Sequence, residues 1–157
     1  MKRQHKMEIH RIAIQNKLDT SKAAISWLTE VKFELSIVIW AIEYKDEIAP
    51  EMMGGIVERA NRLNVLELDA RKQFNAIELY YNFEEIENKY NLGTMMPQFL
   101  SLQNVLAELT TTSQVDSVEK LEIVTERSLL LMRNLHCAVS NITEMIRKDN
   151  LHYLNNN

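Results

Sequence analysis

From Leu35 to Ile42 the chain reads LSIVIWAI, with Ser36 its only polar residue, at the centre of a longer stretch from Ala23 to Tyr44. A helix that is apolar on every side has to be enclosed by other elements. Crossing a bilayer takes about 20 apolar residues, and Glu34 and Glu43 close this run well short of that, so no membrane partner is expected. The stretch therefore predicts the central helix of a bundle, which the remaining segments have to surround.

The 157 residues are the size of one domain, so a single helical-bundle domain over 1–157 is expected. Only 3 Gly and 2 Pro are present, and few breakers mean few turns and long helices. A lone Cys137 excludes an internal disulfide and a cysteine metal cluster, which points to the cytoplasm. The opening MKRQHKMEIHRIAIQNK is basic and lacks the apolar core of a secretory signal. From Met1 to Lys22, Lys2, Arg3, Lys6, Arg11, Lys17 and Lys22 face only Glu8 and Asp19, so a basic N-terminal arm (1–18) precedes a body more acidic than the overall charge of −4. An acidic body argues against a broad nucleic-acid footprint; the arm is expected first as a solvated terminal segment, or else as a contact for phosphate, an acidic partner or a second copy.

Periodicity fills in the rest. Met7, Ile9, Ile12, Ala13, Ile14 and Leu18 fit a helical face better than a strand, although His10, Ile12 and Ile14 also suit strand alternation. Asp19, Thr20 and Ser21 offer a fresh helix start, or the helix runs straight through to about Ile48. Pro50 and Gly54-Gly55 reverse the chain. Ile56, Ala60, Leu63, Glu67, Ala70, Phe74, Ile77 and Tyr81 then step by 4 and 3 as a heptad seam, predicting one helix to Asn91 capped by Gly93. A shorter helix with Pro97 in its first turn carries Phe99, Leu102, Leu106 and Leu109 and stops at Thr110–Ser113. Asp116 and Glu119 resemble a capping box for a last helix whose seam is Leu121, Val124, Ser128, Leu131, Leu135, Ala138, Ile142 and Met145. A polar tail, 152–157, frays. The fold class expected is all-α: an elongated antiparallel bundle of three long helices and one or two shorter ones.

Chemistry is sparse. No Glu-x-x-His occurs, so a carboxylate-bridged di-metal site is not expected. Glu43 with Asp46, Glu84 with Glu87 and Glu119 with Glu122 offer the oxygen pairs of all-α Mg²⁺ pyrophosphatases, but in another order and with other gaps, and such pairs are common on solvated faces. No nucleophile triad, phosphate-binding glycine loop or zinc spacing is present, and no metal or cofactor is expected. His136 and Cys137 adjoin the last seam, where a flanking histidine and a packed thiol are expected. Met52-Met53 and Met95-Met96 read as plugs beneath turns at opposite ends of the bundle.

The run Arg147-Lys-Asp-Asn-Leu-His152 has the Arg-x4-His spacing of the HEPN ribonucleases and resembles them in those two residues. The resemblance implies His152 as acid or base and Arg147 as stabiliser of phosphate charge, in a site composed across a dimer. The same residues also make a basic helix C-terminus that the macrodipole favours.

Glu67 interrupts its seam. Either the seam opens to solvent there, which is the favoured expectation, or a cation from another helix meets the carboxylate and fixes register. Glu67, Tyr80, Tyr81 and Phe83 are the interface candidates, since the three aromatics point different ways and one has to reach a surface. The function expected is that of a non-enzymatic interaction or regulatory protein, adaptor-like and homodimeric, docking another protein. The alternatives are a HEPN-like nuclease using Arg147 and His152, and a small-ligand sensor with a pocket between helices.

Overall fold

The computed structural model describes residues 1–47, 52–93, 95–112 and 118–155. They form α1 (Lys2–Glu43), a 3-10 turn (Lys45–Glu47), α2 (Met53–Leu68), α3 (Ala70–Glu78), α4 (Glu84–Lys89), α5 (Met95–Thr112) and α6 (Val118–Asn155). The described residues contain no strand, so the strand alternative for His10–Ile14 falls. Asp19–Ser21 starts nothing new: α1 is one helix of 42 residues, about 63 Å long. It ends at Glu43, and Pro50 lies outside the described residues.

Three long helices were expected and two are found. The predicted helix from Ile56 to Asn91 is divided into α2, α3 and α4, each division having a local cause. At Asp69 the backbone N–H reaches Leu66 O (3.2 Å), one residue short of α spacing, and the same carbonyl accepts Trp27 Nε1 from α1 (2.9 Å). A side chain inserted into the ladder is a usual source of such a break. After α3 the chain leaves helical geometry so that Phe83 can enter the core edge-on to Phe74 (centroids 6.0 Å apart), while Asn82 Oδ1 accepts the N–H of Glu84 and restarts the helix. Glu84, Glu85 and Glu87 occupy the first turn of α4, where carboxylates are favoured.

The cap of α4 is also a correction. Asn91, at φ 52°, takes the left-handed position expected of Gly93. Leu92 N–H donates to Glu87 O and Asn91 N–H to Asn88 O, the paired bonds of a Schellman motif, with Leu92 buried behind them. Gly93, at φ 65°, continues the turn.

Packing follows the seams. Ala60, Leu63, Ala70, Phe74 and Ile77 are buried, as are Ser128, Leu135, Ala138 and Ile142. Ile56, Leu121, Val124 and the Asp116–Glu119 start fall outside the described side chains. Phe99, Leu102 and Leu106 of α5 complete one core with Ala24, Leu28, Val31, Leu35 and Val38 of α1. Trp27, Phe74 and Phe99 stack at its centre with centroids 5.4 to 5.7 Å apart. Lys17 meets Asp149, Ser36 meets His136 and Glu43 meets Arg133, so α1 and α6 lie together in opposite chain order.

Two expectations about α1 fail. The segment 7–18 does not cover a side of the bundle: it prolongs α1, leaving Met7, Ile9 and Ile12 exposed. Nor is the apolar stretch enclosed. Phe33 is 56% exposed, Trp40 49% and Tyr44 45%, because the described helices pack against the other side of α1.

Candidate functional site

Burial on α1 falls at Ala24, Leu28, Val31, Leu35 and Val38, whereas Phe33, Ile37, Trp40 and Tyr44, also spaced 4, 3, 4, form the opposite face. Trp40 and Tyr44 rings lie 5.8 Å apart, tilted 34°, and the Arg59 guanidinium stands 6.0 Å from the Phe33 centroid. Each aromatic thus has one neighbour and still presents about half of its surface to water. Four large apolar side chains in one stripe exceed the single scattered residues of an ordinary surface.

Beside the stripe runs a groove between α1 and α6 of about 330 Å³, lined by Ser36, Ile39, Trp40, Glu43, Arg133, His136 and Cys137. Ser36 Oγ lies 2.9 Å from His136 Nε2 and 2.8 Å from Lys32 O. A hydroxyl has one proton. With it donated to the carbonyl one turn back, His136 is the donor to Ser36, the reverse of a base activating a nucleophile. Both residues lie inside long helices whose backbone N–H groups are already bonded, so no backbone pair is free to stabilise an oxyanion. Burial first, and Lys32 second, hold the His136 pKa below its ordinary value, leaving the ring neutral near pH 7. Cys137 is exposed beside it, which corrects the packed thiol expected from the seam.

A polar cluster ties α1 to α6 further along. Lys17 Nζ lies 2.9 Å from Asp149 Oδ2, Tyr81 OH donates to the same oxygen at 2.8 Å, and Ser21 Oγ is 3.1 Å from Tyr81 OH. The ammonium also sits 5.0 and 4.7 Å from the Tyr81 and Tyr153 ring centroids. Burial alone would raise the Asp149 pKa, but the bonds from Lys17 and Tyr81 outweigh it and hold it low. Burial raises the Tyr81 hydroxyl, so the phenol stays protonated and donates. This arrangement clamps two helices and leaves its ammonium and carboxylate satisfied.

Two carboxylates lie in the core. Glu34 is 2% exposed, and its Oε1 receives Arg59 (3.2 Å) and Arg62 (3.1 Å) from α2. It had been read as a charge closing the apolar run, but it lies on the buried stripe with Val31 and Val38. Glu67 is 5% exposed, so the seam does not open to solvent there; its Oε2 has no hydrogen-bond partner among the described residues, and desolvation raises its pKa. Among the described residues no three His, Cys, Asp or Glu side chains converge as metal ligands.

Of the other residues singled out by sequence, Tyr80 is exposed, Tyr81 is committed to Asp149, and Phe83 is buried against Phe74, so Glu67 and Phe83 are not on a surface of this chain. Arg147 and His152 are both exposed on α6. Five residues apart on a helix, they lie about 140° around its axis. Met52 is exposed, and the side chains of Met53, Met95 and Met96 lie outside the described set. The sequence reading missed the outer stripe, the Ser36–His136 contact and the Lys17 clamp. The stripe had a signal, since Phe33, Ile37, Trp40 and Tyr44 already show heptad spacing. The other two depend on contacts between distant segments.

No protein-family model matches this chain, and neither curated proteins nor solved structures give a significant match. No helix among the described residues is long and apolar enough to cross a membrane.

Proposed function

We propose that this protein is a non-enzymatic interaction or regulatory protein, adaptor-like, acting in the cytoplasm as a homodimer and associating through the outer face of α1. The observation that supports this reading is the solvent-facing stripe Phe33, Ile37, Trp40 and Tyr44 on a helix whose other face already fills the core. Apolar area of this kind is favourable to bury, and nothing else among the described residues covers it. The long seams, from which dimerisation was first expected, are consumed inside the chain, which moves the expected contact to the outer face.

The nuclease alternative gains no comparable support, because Arg147 and His152 diverge around α6. The sensor alternative would need an enclosed cavity with converging polar groups, whereas the groove beside Trp40 opens at the surface. Sedimentation of the full chain at micromolar concentration tests the proposal. A dimer is expected, and Trp40→Ser with Phe33→Ser is expected to give a folded monomer. A wild type that stays monomeric and cleaves RNA, with cleavage abolished by His152→Ala, would replace this reading with the nuclease.

A further inference from the structure

Taking the outer face of α1 as the association surface, we infer that its occupant is α1 of a second copy, laid antiparallel so that the basic N-terminal arm of each chain covers the aromatic stripe of the other. Ile9, Ile12, Asn16, Asp19, Ala23, Ser26, Glu30, Phe33, Ile37, Trp40 and Tyr44 follow steps of 3 and 4 without a break, and all are solvent-exposed except the half-buried Ile37. This is one continuous heptad line along the free side of a 42-residue helix.

The line is apolar at its ends and polar or small in its middle. Such a pattern is poorly matched to a parallel copy, which would set arm on arm and stripe on stripe, far apart. Turned end for end about a point between Ala23 and Ser26, the line places Ile9 on Trp40 and Ile12 on Ile37 of the second copy, and brings the small Ala23 and Ser26 together where the helices cross the two-fold axis.

Charge points the same way. The arm carries Lys2, Arg3, Lys6 and Arg11 against Glu8, and the turn after α1 carries Asp46 and Glu47 against Lys45, beside a Glu43 already paired with Arg133, so the far end keeps a smaller acidic excess. Antiparallel pairing sets these opposite ends side by side; parallel pairing sets like on like. Asp19 and Glu30 oppose one another in the middle layers, which the ends have to outweigh. The described core packs on the buried side of α1, while Arg59 of α2 beside Phe33 and the α6 groove beside Trp40 border this line. Much of the arm is solvent-exposed, Met7, Ile9 and Ile12 included, and among the described residues Lys17 ties its base to Asp149 and Tyr153. A helical arm about 22 Å long, held only at its base, is marginal by itself and is stabilised by a second helix.

The test uses the full chain in a Cys137→Ser background. Ile12→Cys and Ile37→Cys chains, mixed and oxidised, are expected to give a disulfide-linked dimer that neither forms alone, since in this register each position meets the other and not itself. Ile12→Glu is expected to weaken the dimer at least about tenfold in sedimentation while leaving helicity unchanged. If the dimer depends on Trp40 but survives Ile12→Glu and gives no mixed disulfide, the arm exchange is wrong and the association surface stands. If wild type is monomeric, and a photoreactive side chain in place of Trp40 links to a different protein or only to anionic vesicles, the second-copy inference is overturned. If it links to nothing, the surface itself fails.

Discussion

The two faces of α1 between Ala24 and Tyr44 are built from the same kinds of residue and have opposite fates. Leu28, Val31, Leu35 and Val38 lose almost all contact with water, while Phe33, Trp40 and Tyr44 keep about half of theirs. Hydrophobicity does not separate them. What separates them is the supply of partners, since α2, α3, α5 and α6 fill one side of α1 and the described chain has no further long helix for the other. A helix apolar all round is therefore not by itself evidence of full enclosure, since here the described helices cover only one of its faces.

The largest effect expected from this contrast is in stability. Phe74→Ala, at the centre of the aromatic cluster facing the inner side of α1, should cost about 3 to 5 kcal/mol in urea unfolding. Trp40→Ser on the outer face should change it by no more than about 0.5 kcal/mol at concentrations too low for association. Comparable losses for both would erase the distinction between the faces.

The clamp comes next. Asp149→Asn should destabilise by about 1 to 2 kcal/mol, the usual cost of breaking charge-assisted bonds at a partly exposed site. Because the Asp149 pKa is depressed in the folded state, this contribution is complete above the ordinary value of 3.8 and is lost as pH falls below it. The variant's unfolding free energy should converge on that of wild type toward pH 2.

Glu67 behaves oppositely. Its pKa is raised by burial, so the folded state binds the extra proton, and its stability contribution is lost as pH rises through and above the ordinary value of 4.5. Glu67→Gln should then raise stability at pH 7 by on the order of 1 kcal/mol, with a smaller gain at pH 4. A loss of stability on Glu67→Gln at pH 7 would show instead that the carboxylate finds a cation.

The smallest effect is expected at the end of α6. His152→Ala and Arg147→Ala should each shift the melting midpoint by no more than the change expected from about 0.5 kcal/mol, with no change in RNA integrity on incubation.

Local sequence set the helices and most of the inner faces. The step pattern names Ala60, Leu63, Ala70, Phe74 and Ile77, and then Ser128, Leu135, Ala138 and Ile142, as buried, with Leu131 only half-buried, because a 3.6-residue period and the cost of wetting apolar area act within one segment. The same reasoning finds Phe99, Leu102 and Leu106, and places Pro97 in a first turn. It fails where another part of the chain intervenes, as with Trp27 reaching Leu66 and Phe83 seeking Phe74, and also locally, where Asn91 takes the cap expected of Gly93. Glu34 shows the limit most clearly, since its sequence neighbours say only that it adjoins an apolar run, and Arg59 and Arg62 of α2 make its burial tolerable. Periodicity fixes which residues share a face; which face is enclosed depends on how many other helices the chain can bring to it, and that is decided only when the segments pack together.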